Sequence, residues 1–420
     1  WGFALSDDLM TTLTAPVSPA PPVDDTTPAR WLTGALLLMG IMLTDSIRDL
    51  RRLPLARWRT EIANAPWWVE TGSWAGLIVV YYLASAPWLI GACWVVGTLL
   101  AWLRPRTALL LALALLPFYF QHKEIALPNR VLAIPPATML ALALLPALLG
   151  TAWQARGRMA SWHKIGRWYD WLAAGWLVLG LTSAMGVWNL PEYLRGVVDL
   201  TMIPLLFYAA VRLFIREDRS IRKAILALFA GGVAVALLGI WRWIAGEGVP
   251  IDGVLRLVGT HFSPNHTALY LVRTFFLGAG LAFAAQGRER VLWLVITGVA
   301  GCAALLTASR GALLLGLPAG ALAALWLWLI AGSQPAGKRM RALLQKRGIR
   351  IALLATPILL MGAVFLGERS LLNASSVDSR LLLWQAALAL WRDHFWAGVG
   401  PYGFFWNYPA FLPLGVTMEA

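Results

Sequence analysis

Arg310 lies in TASRGALLLGL, a run of small and apolar residues with no carboxylate within helical reach of the guanidinium. Arg273 closes SPNHTALYLVR, Arg380 follows SSVDS, and Arg256 and Arg195 lie in GVLRLVGTHFSPNH and NLPEYLRGVVD. An unpaired charge in or beside an apolar helix is costly, so each position needs a reason. Arginine offers a planar fork of donors that matches phosphate oxygens and stays charged at any working pH. Gathered on one face, these residues would hold an anionic, phosphate-bearing lipid head group. Ser263 is a natural N-cap and Pro264 a helix start, so Asn265 and His266 would stand at a positive helix terminus suited to an anion. The same Ser-Pro-Asn also reads as plain capping. Each arginine can instead snorkel or pair with Glu192, Asp199 or Asp378, and that is the reading for Arg30, Arg369 and Arg392. Arg310 and Arg380 are assigned to the site, while Arg195, Arg256 and Arg273 stay open between the two roles. His261 and His266 are five apart, and His122, His163 and His394 complete no ligand spacing, so no metal is assigned. Gly398, Gly400 and Gly403 in GVGPYGF have the dinucleotide spacing but follow a helix and include a proline. That reads as a tight turn.

The elements carrying these residues follow from composition. Of 420 residues 59% are hydrophobic and 13% charged, against about 25% charged in soluble domains. The apolar residues come in blocks closed by arginines, tryptophans or prolines, which predicts an all-α polytopic membrane protein. Twelve helices are predicted, over 31–46, 67–86, 88–103, 107–120, 131–153, 168–187, 197–214, 222–245, 267–285, 291–308, 312–331 and 350–367. Of 35 Lys and Arg, 24 fall in alternate loops, at 47–66, 104–106, 154–167, 212–223, 288–290 and 338–350. Positive loops stay in the cytoplasm, so the arginines named above face outward. The net charge of +14 is read as orientation and lipid contact, not nucleic-acid binding. Three regions result: a Pro/Thr-rich external extension over 1–30, a transmembrane domain over 31–367, and a long external loop over 368–420 with the amphipathic helix RLLLWQAALALWRDHF. Closing helices are expected beyond the last residue. Cys93 and Cys302 lie in apolar blocks and are read as packing residues.

GTHFSPNHTALYL, TASRG opening a helix, and SRLLLWQAALALWRDHFWAGVGPYGFFWNYP in a long external loop, in this order and topology, resemble the O-antigen ligase and O-antigen polymerase superfamily of bacterial envelope glycosyltransferases. The resemblance covers roughly residues 130–420. It implies a metal-independent, inverting enzyme without cofactor, multi-pass in the bacterial inner membrane. Its site would face the periplasm, and it would take a glycan from undecaprenyl diphosphate. Arg310 and Arg380 match the arginines that hold the diphosphate, with Arg256, Arg195, Arg273, Asn265 and His266 as further substrate-binding candidates. The general-base histidine of the family is expected beyond Ala420, and His394, ahead of the glycine turn, does not match it.

The acceptor implied first is the lipid A core, as in a ligase. A growing lipid-linked glycan, as in a polymerase, or a protein side chain remains as an alternative. A rival of another class is a flippase or transporter of lipid-linked glycan, which calls for polar residues through the middle of several spans, whereas these spans are mostly clean. A noncatalytic scaffold is the third reading, and it predicts no effect of Arg310→Ala on envelope glycans.

Overall fold

The computed structural model describes residues 66–127, 130–155, 168–187, 189–251, 253–331, 374–396 and 398–412. The extension 1–30, the basic loop 47–63 and the helices expected at 31–46 and 350–367 lie outside the described residues.

The chain is mostly helical. In order come α1 (Trp67–Leu83), α2 (Pro87–Leu103), α3 (Pro105–Leu115), a hairpin of β1 (Lys123–Leu127) and β2 (Arg130–Ile134), α4 (Pro136–Ala143), α5 (Leu145–Ala155) and α6 (Trp168–Thr182). Then follow α7 (Leu190–Val197), α8 (Ile203–Phe214), α9 (Asp218–Ile244), a hairpin of β3 (Val249–Ile251) and β4 (Val254–Arg256), α10 (Pro264–Ala284), α11 (Gly287–Leu306) and α12 (Leu317–Ala331). The last elements are α13 (Ala374–Asp393), the short α14 (Gly403–Asn407) and a 3-10 turn, Tyr408–Phe411. Among the described residues five helices are long and apolar enough to cross a membrane: Pro136–Trp153, Leu190–Phe214, α9, α10 and α11. The pair Pro87–Leu103 and Pro105–Phe118, bent by 119°, would make a sixth if it is one span. The remaining expected spans correspond to shorter helices, of 17 residues in α1 and 15 in α6 and α12.

Prolines set several boundaries. Pro105 forces Arg104 out of the helical region, to φ −131° and ψ 63°, and the chain turns there. The helix expected from 131 begins instead at Pro136, and Val131–Ile134 belong to β2, antiparallel to β1 with Lys123 opposite Ile134. The reason is local: Pro135 and Pro136 lack N–H groups, so a helix can start on them but not run through them.

Two further prolines lie just inside helices that open with a wide turn. Val198–Met202 and Ala312–Gly316 are π-helical, with Ile203 N–H bonding Val198 O and Leu317 N–H bonding Ala312 O. Pro204 has no N–H to give the Leu200 carbonyl, and the Trp176 indole donates to that oxygen instead, at 2.9 Å. Pro318 follows the second π turn in the same way.

Polar contacts separate into two ends. At one end, ion pairs tie helix termini: Arg104 to Glu70 at 3.1 Å, Arg106 to Glu217 at 3.1 Å, Arg212 to Asp170 at 3.0 Å and Arg222 to Glu289 at 2.7 Å. Their cations belong to two of the basic loops of the sequence alternation, 104–106 and 212–223, and Glu289 lies in a third, 288–290. At the other end the connections meet. Thr260 Oγ1 donates to Pro117 O at 2.6 Å, Gln121 Nε2 to Thr260 O at 3.3 Å, and Leu257 N–H to Leu306 O at 3.0 Å.

Between the ends, packing is close and mediated by small residues, as suits helices that meet without a hydrophobic driving force between them. In α9 a Cβ on Gly231 would run into the Ala114 carbonyl of α3, and one on Gly232 into Thr274 of α10. These adjacent glycines let α9 press against two neighbours at once. Gly232→Val is expected to cost about 1–3 kcal/mol of stability through overpacking, read as a lower Tm in detergent. Gly76→Val, at a position open on all sides, should leave Tm unchanged.

Candidate functional site

The site elements lie at the end where the connections meet. Ser263, extended at φ −138° and ψ 152°, caps α10: its Oγ accepts from His266 N–H at 3.4 Å and lies 2.7 Å from His266 Nδ1. Thr267 Oγ1 donates back to Ser263 O at 3.2 Å. The capping read from Ser-Pro-Asn is present, and it engages His266 as well.

Asn265 reaches across to the break between α11 and α12. Ser309 Oγ donates to Asn265 Oδ1 at 2.8 Å, and Ser309 is buried. Within the break, Thr307 Oγ1 donates to Ala304 O at 2.6 Å and accepts from Ser309 N–H at 3.3 Å. Ala308 sits at φ +47°, a left-handed conformation that costs a residue with a Cβ about 1–2 kcal/mol. The chain therefore reverses over three residues, and Arg310, exposed, begins the next helix two residues before the π turn. TASRG opens a helix as its composition implied, and Asn265, His266 and Arg310 come to one place.

The other arginines are placed separately. Arg195 lies 3.8 Å from Asp199, one of the carboxylates the sequence offered it. Arg256 ends β4 and is half-buried. Arg273 is exposed on α10, nine residues after Pro264, or about 13 Å along the helix. Arg380 lies in the second turn of α13, which begins six residues earlier than its sequence pattern suggested; its side chain is outside the described residues. Arg242 also lies at this end, with Nε 2.9 Å from Glu247 Oε2 and Nη1 donating to Gly259 O at 3.2 Å.

The glycine turn is a turn, as read. Gly398 and Gly400 have φ of +64° and +77°, and Tyr402 adopts +61°. Pro401 seats against Gly196 of α7, where a Cβ would come within 2.5 Å of the proline ring. Tyr402 then donates from its hydroxyl to Asp199 Oδ2 at 3.3 Å, and Tyr119 lies close enough to feel both groups. Burial, reinforced by the Asp199 charge, raises the hydroxyl pKa of both Tyr119 and Tyr402. Beside this cluster a shallow cleft is lined by Asn189, Glu192, Tyr402, Trp406 and Asn407.

Sequence reasoning missed this cluster. Asp199 was seen only as one of three possible ion-pair partners for the arginines, and nothing in the spacing of 119, 199 and 402 announces their meeting. A signal existed in Asp199 itself, a carboxylate inside an apolar span ahead of Pro204.

His261 was also passed over. Its ring lies 5.7 Å from both Phe120 and Tyr270, with Nδ1 3.4 Å from Thr260 Oγ1. Burial, with a smaller effect of nearby His266, lowers its pKa from 6.5 to about 4, so the imidazole is neutral at physiological pH. A base is most effective with a pKa near the working pH, which argues for a positioning role at this histidine.

Among the described residues no group of three His, Cys, Asp or Glu could hold a metal ion. In comparisons with known proteins the chain matches no family model, no curated protein and no solved structure.

Two measurements check this geometry. The unfolded chain takes up a proton at His261 near pH 6.5, while the folded chain resists until about pH 4. Folding stability is therefore flat above pH 6.5 and falls as pH drops from 6.5 towards 4. Tm against pH should show that fall, and His261→Asn should flatten it. At the turn, Gly196→Val should unseat Pro401, read as faster protease cleavage within 398–412 without loss of the helical signal.

Proposed function

We propose that this protein is a glycosyltransferase of the outer face of the bacterial inner membrane, moving a glycan from undecaprenyl diphosphate to an acceptor in the manner of an O-antigen ligase, with the lipid A core as acceptor. The observation that carries the reading is Arg310: an exposed arginine at a helix break, next to Ser309, whose hydrogen bond to Asn265 ties that break to the start of α10. Displacing a diphosphate from an anomeric carbon leaves negative charge on the departing oxygens, and preorganised cations stabilise it without a metal ion. Arg310 and Arg380 are proposed for that role, with Arg256, Arg195, Arg273, Asn265 and His266 as substrate-binding candidates. The acceptor hydroxyl must also lose a proton, and that base is assigned outside the described residues.

The test uses the protein purified in lipid with a lipid-linked glycan donor and a lipid A core acceptor, following release of undecaprenyl diphosphate with and without EDTA. Arg310→Ala and Arg380→Ala should each cut turnover by about ten- to a thousandfold, and chelation should not. Arg310→Lys, which keeps charge but loses the fork, should fall between. Donor consumed only with a lipid-linked acceptor would make the enzyme a polymerase. Donor never consumed with lipid A core, lipid-linked or protein acceptors would remove the enzyme reading and leave a flippase of the same substrate.

A further inference from the structure

Helix α13 carries a stripe that nothing among the described residues covers. Leu381, Trp384, Leu388, Trp391 and Phe395 recur at alternating three- and four-residue spacing and are between 48% and 69% exposed. That spacing puts all five on one face, running from α13 into the turn after it. Ala386 and Leu390, on the face away from the stripe, are buried, and the helix packs on the 3-10 turn Tyr408–Phe411. Gln385 and Arg392 are exposed and border the stripe on one flank. The helix thus has three sides: one against the protein, one apolar and open, one polar and open.

We infer that α13 lies in the plane of the bilayer with this stripe sunk in the outer leaflet. It does not cross: Asp378, Arg380, Arg392 and Asp393 are spread over its 20 residues, and it is absent from the spanning helices. Its height is fixed by its attachments. The turn on which it packs continues from Pro401 and Tyr402, which seat on Gly196 and Asp199 at the first turns of the span Leu190–Phe214. Gly196 and Asp199 both lie within the first ten residues of that 25-residue span, so the docked turn stands in the half of the span nearer its Leu190 end. On α7 and the adjoining π turn, Leu190, Leu194 and Val198 are exposed at four-residue spacing, and Phe404, Phe405 and Trp406 are exposed on the docked turn. An apolar surface therefore already stands at this level, and the α13 stripe is its in-plane extension. Tryptophans and phenylalanine, bordered by an arginine that reaches the head groups, are the side chains an interfacial helix uses. A patch of five large apolar side chains facing water would instead invite aggregation. The inference rests on the membrane setting of the bundle and not on the reaction it performs.

The test is site-directed spin labelling in proteoliposomes, with Cys93 and Cys302 replaced by alanine and single cysteines placed at Leu388, Trp391, Gln385 and Arg392. Collision with oxygen, which partitions into lipid, is compared with collision with a water-soluble nickel chelate. A label on the native Cys302, exposed on α11, gives the lipid-facing reference. The expected result is oxygen-dominated relaxation at 388 and 391, matching Cys302, and nickel-dominated relaxation at 385 and 392. Nickel access at all four sites would place the stripe in water and overturn the inference. Labels at 388 and 391 reached by neither reagent would mean that protein covers the stripe, which overturns it equally.

Discussion

Hydrocarbon offers no partner to a polar group, and the arrangement of this chain follows from that constraint. Backbone N–H and C=O groups are satisfied inside helices, and charges are driven to helix ends. Glu70 meets Arg104, Asp170 meets Arg212, and Glu289 meets Arg222, each pair joining helix ends that sit together at one end of the bundle. At the opposite end, hydrogen bonds such as Thr260 to Pro117 join the connections, and the ion pairs Arg242–Glu247 and Arg195–Asp199 are local, five and four residues apart. One end is pinned by charge, and the other is assembled from loops that can be shaped for a ligand.

Prolines do that shaping. Where Pro105 and Pro136 stand at helix starts they define turns, and where Pro204 and Pro318 stand one turn in they leave carbonyls without their usual donors. The chain answers with π turns, which rotate the preceding residues relative to a regular helix. Arg195 and Asp199 adjoin one such turn, and Arg310 precedes the other. The open positions at the loop end and the helix irregularities share that cause.

Much of this was legible because the same constraint writes itself into sequence. Long apolar blocks and alternating basic loops located the helices, and the ion pairs join residues that the alternation placed on one side. The Ser263 cap and Arg310 at a helix start were legible too, since each depends on a few neighbouring residues. What could not be read depends on distant residues. Val131–Ile134 are as apolar as a helix start, and only pairing with Lys123–Leu127 makes them a strand. Tyr119, Asp199 and Tyr402 meet because Pro401 fits against Gly196, a contact between segments some 200 residues apart. Burial of His261 between Phe120 and Tyr270 is likewise a property of packing.

The proposed function requires the two ends of the bundle to lie on opposite sides of a membrane, with the loop end outside. Single cysteines at Glu247 and Asn189 on the loop end, and at Arg216 and Arg288 on the ion-pair end, would be introduced in a background lacking Cys93 and Cys302. Intact spheroplasts would then be treated with a membrane-impermeant maleimide. The account predicts labelling at 247 and 189 in intact cells and at 216 and 288 only after permeabilisation. Labelling of both pairs from the same side would contradict it.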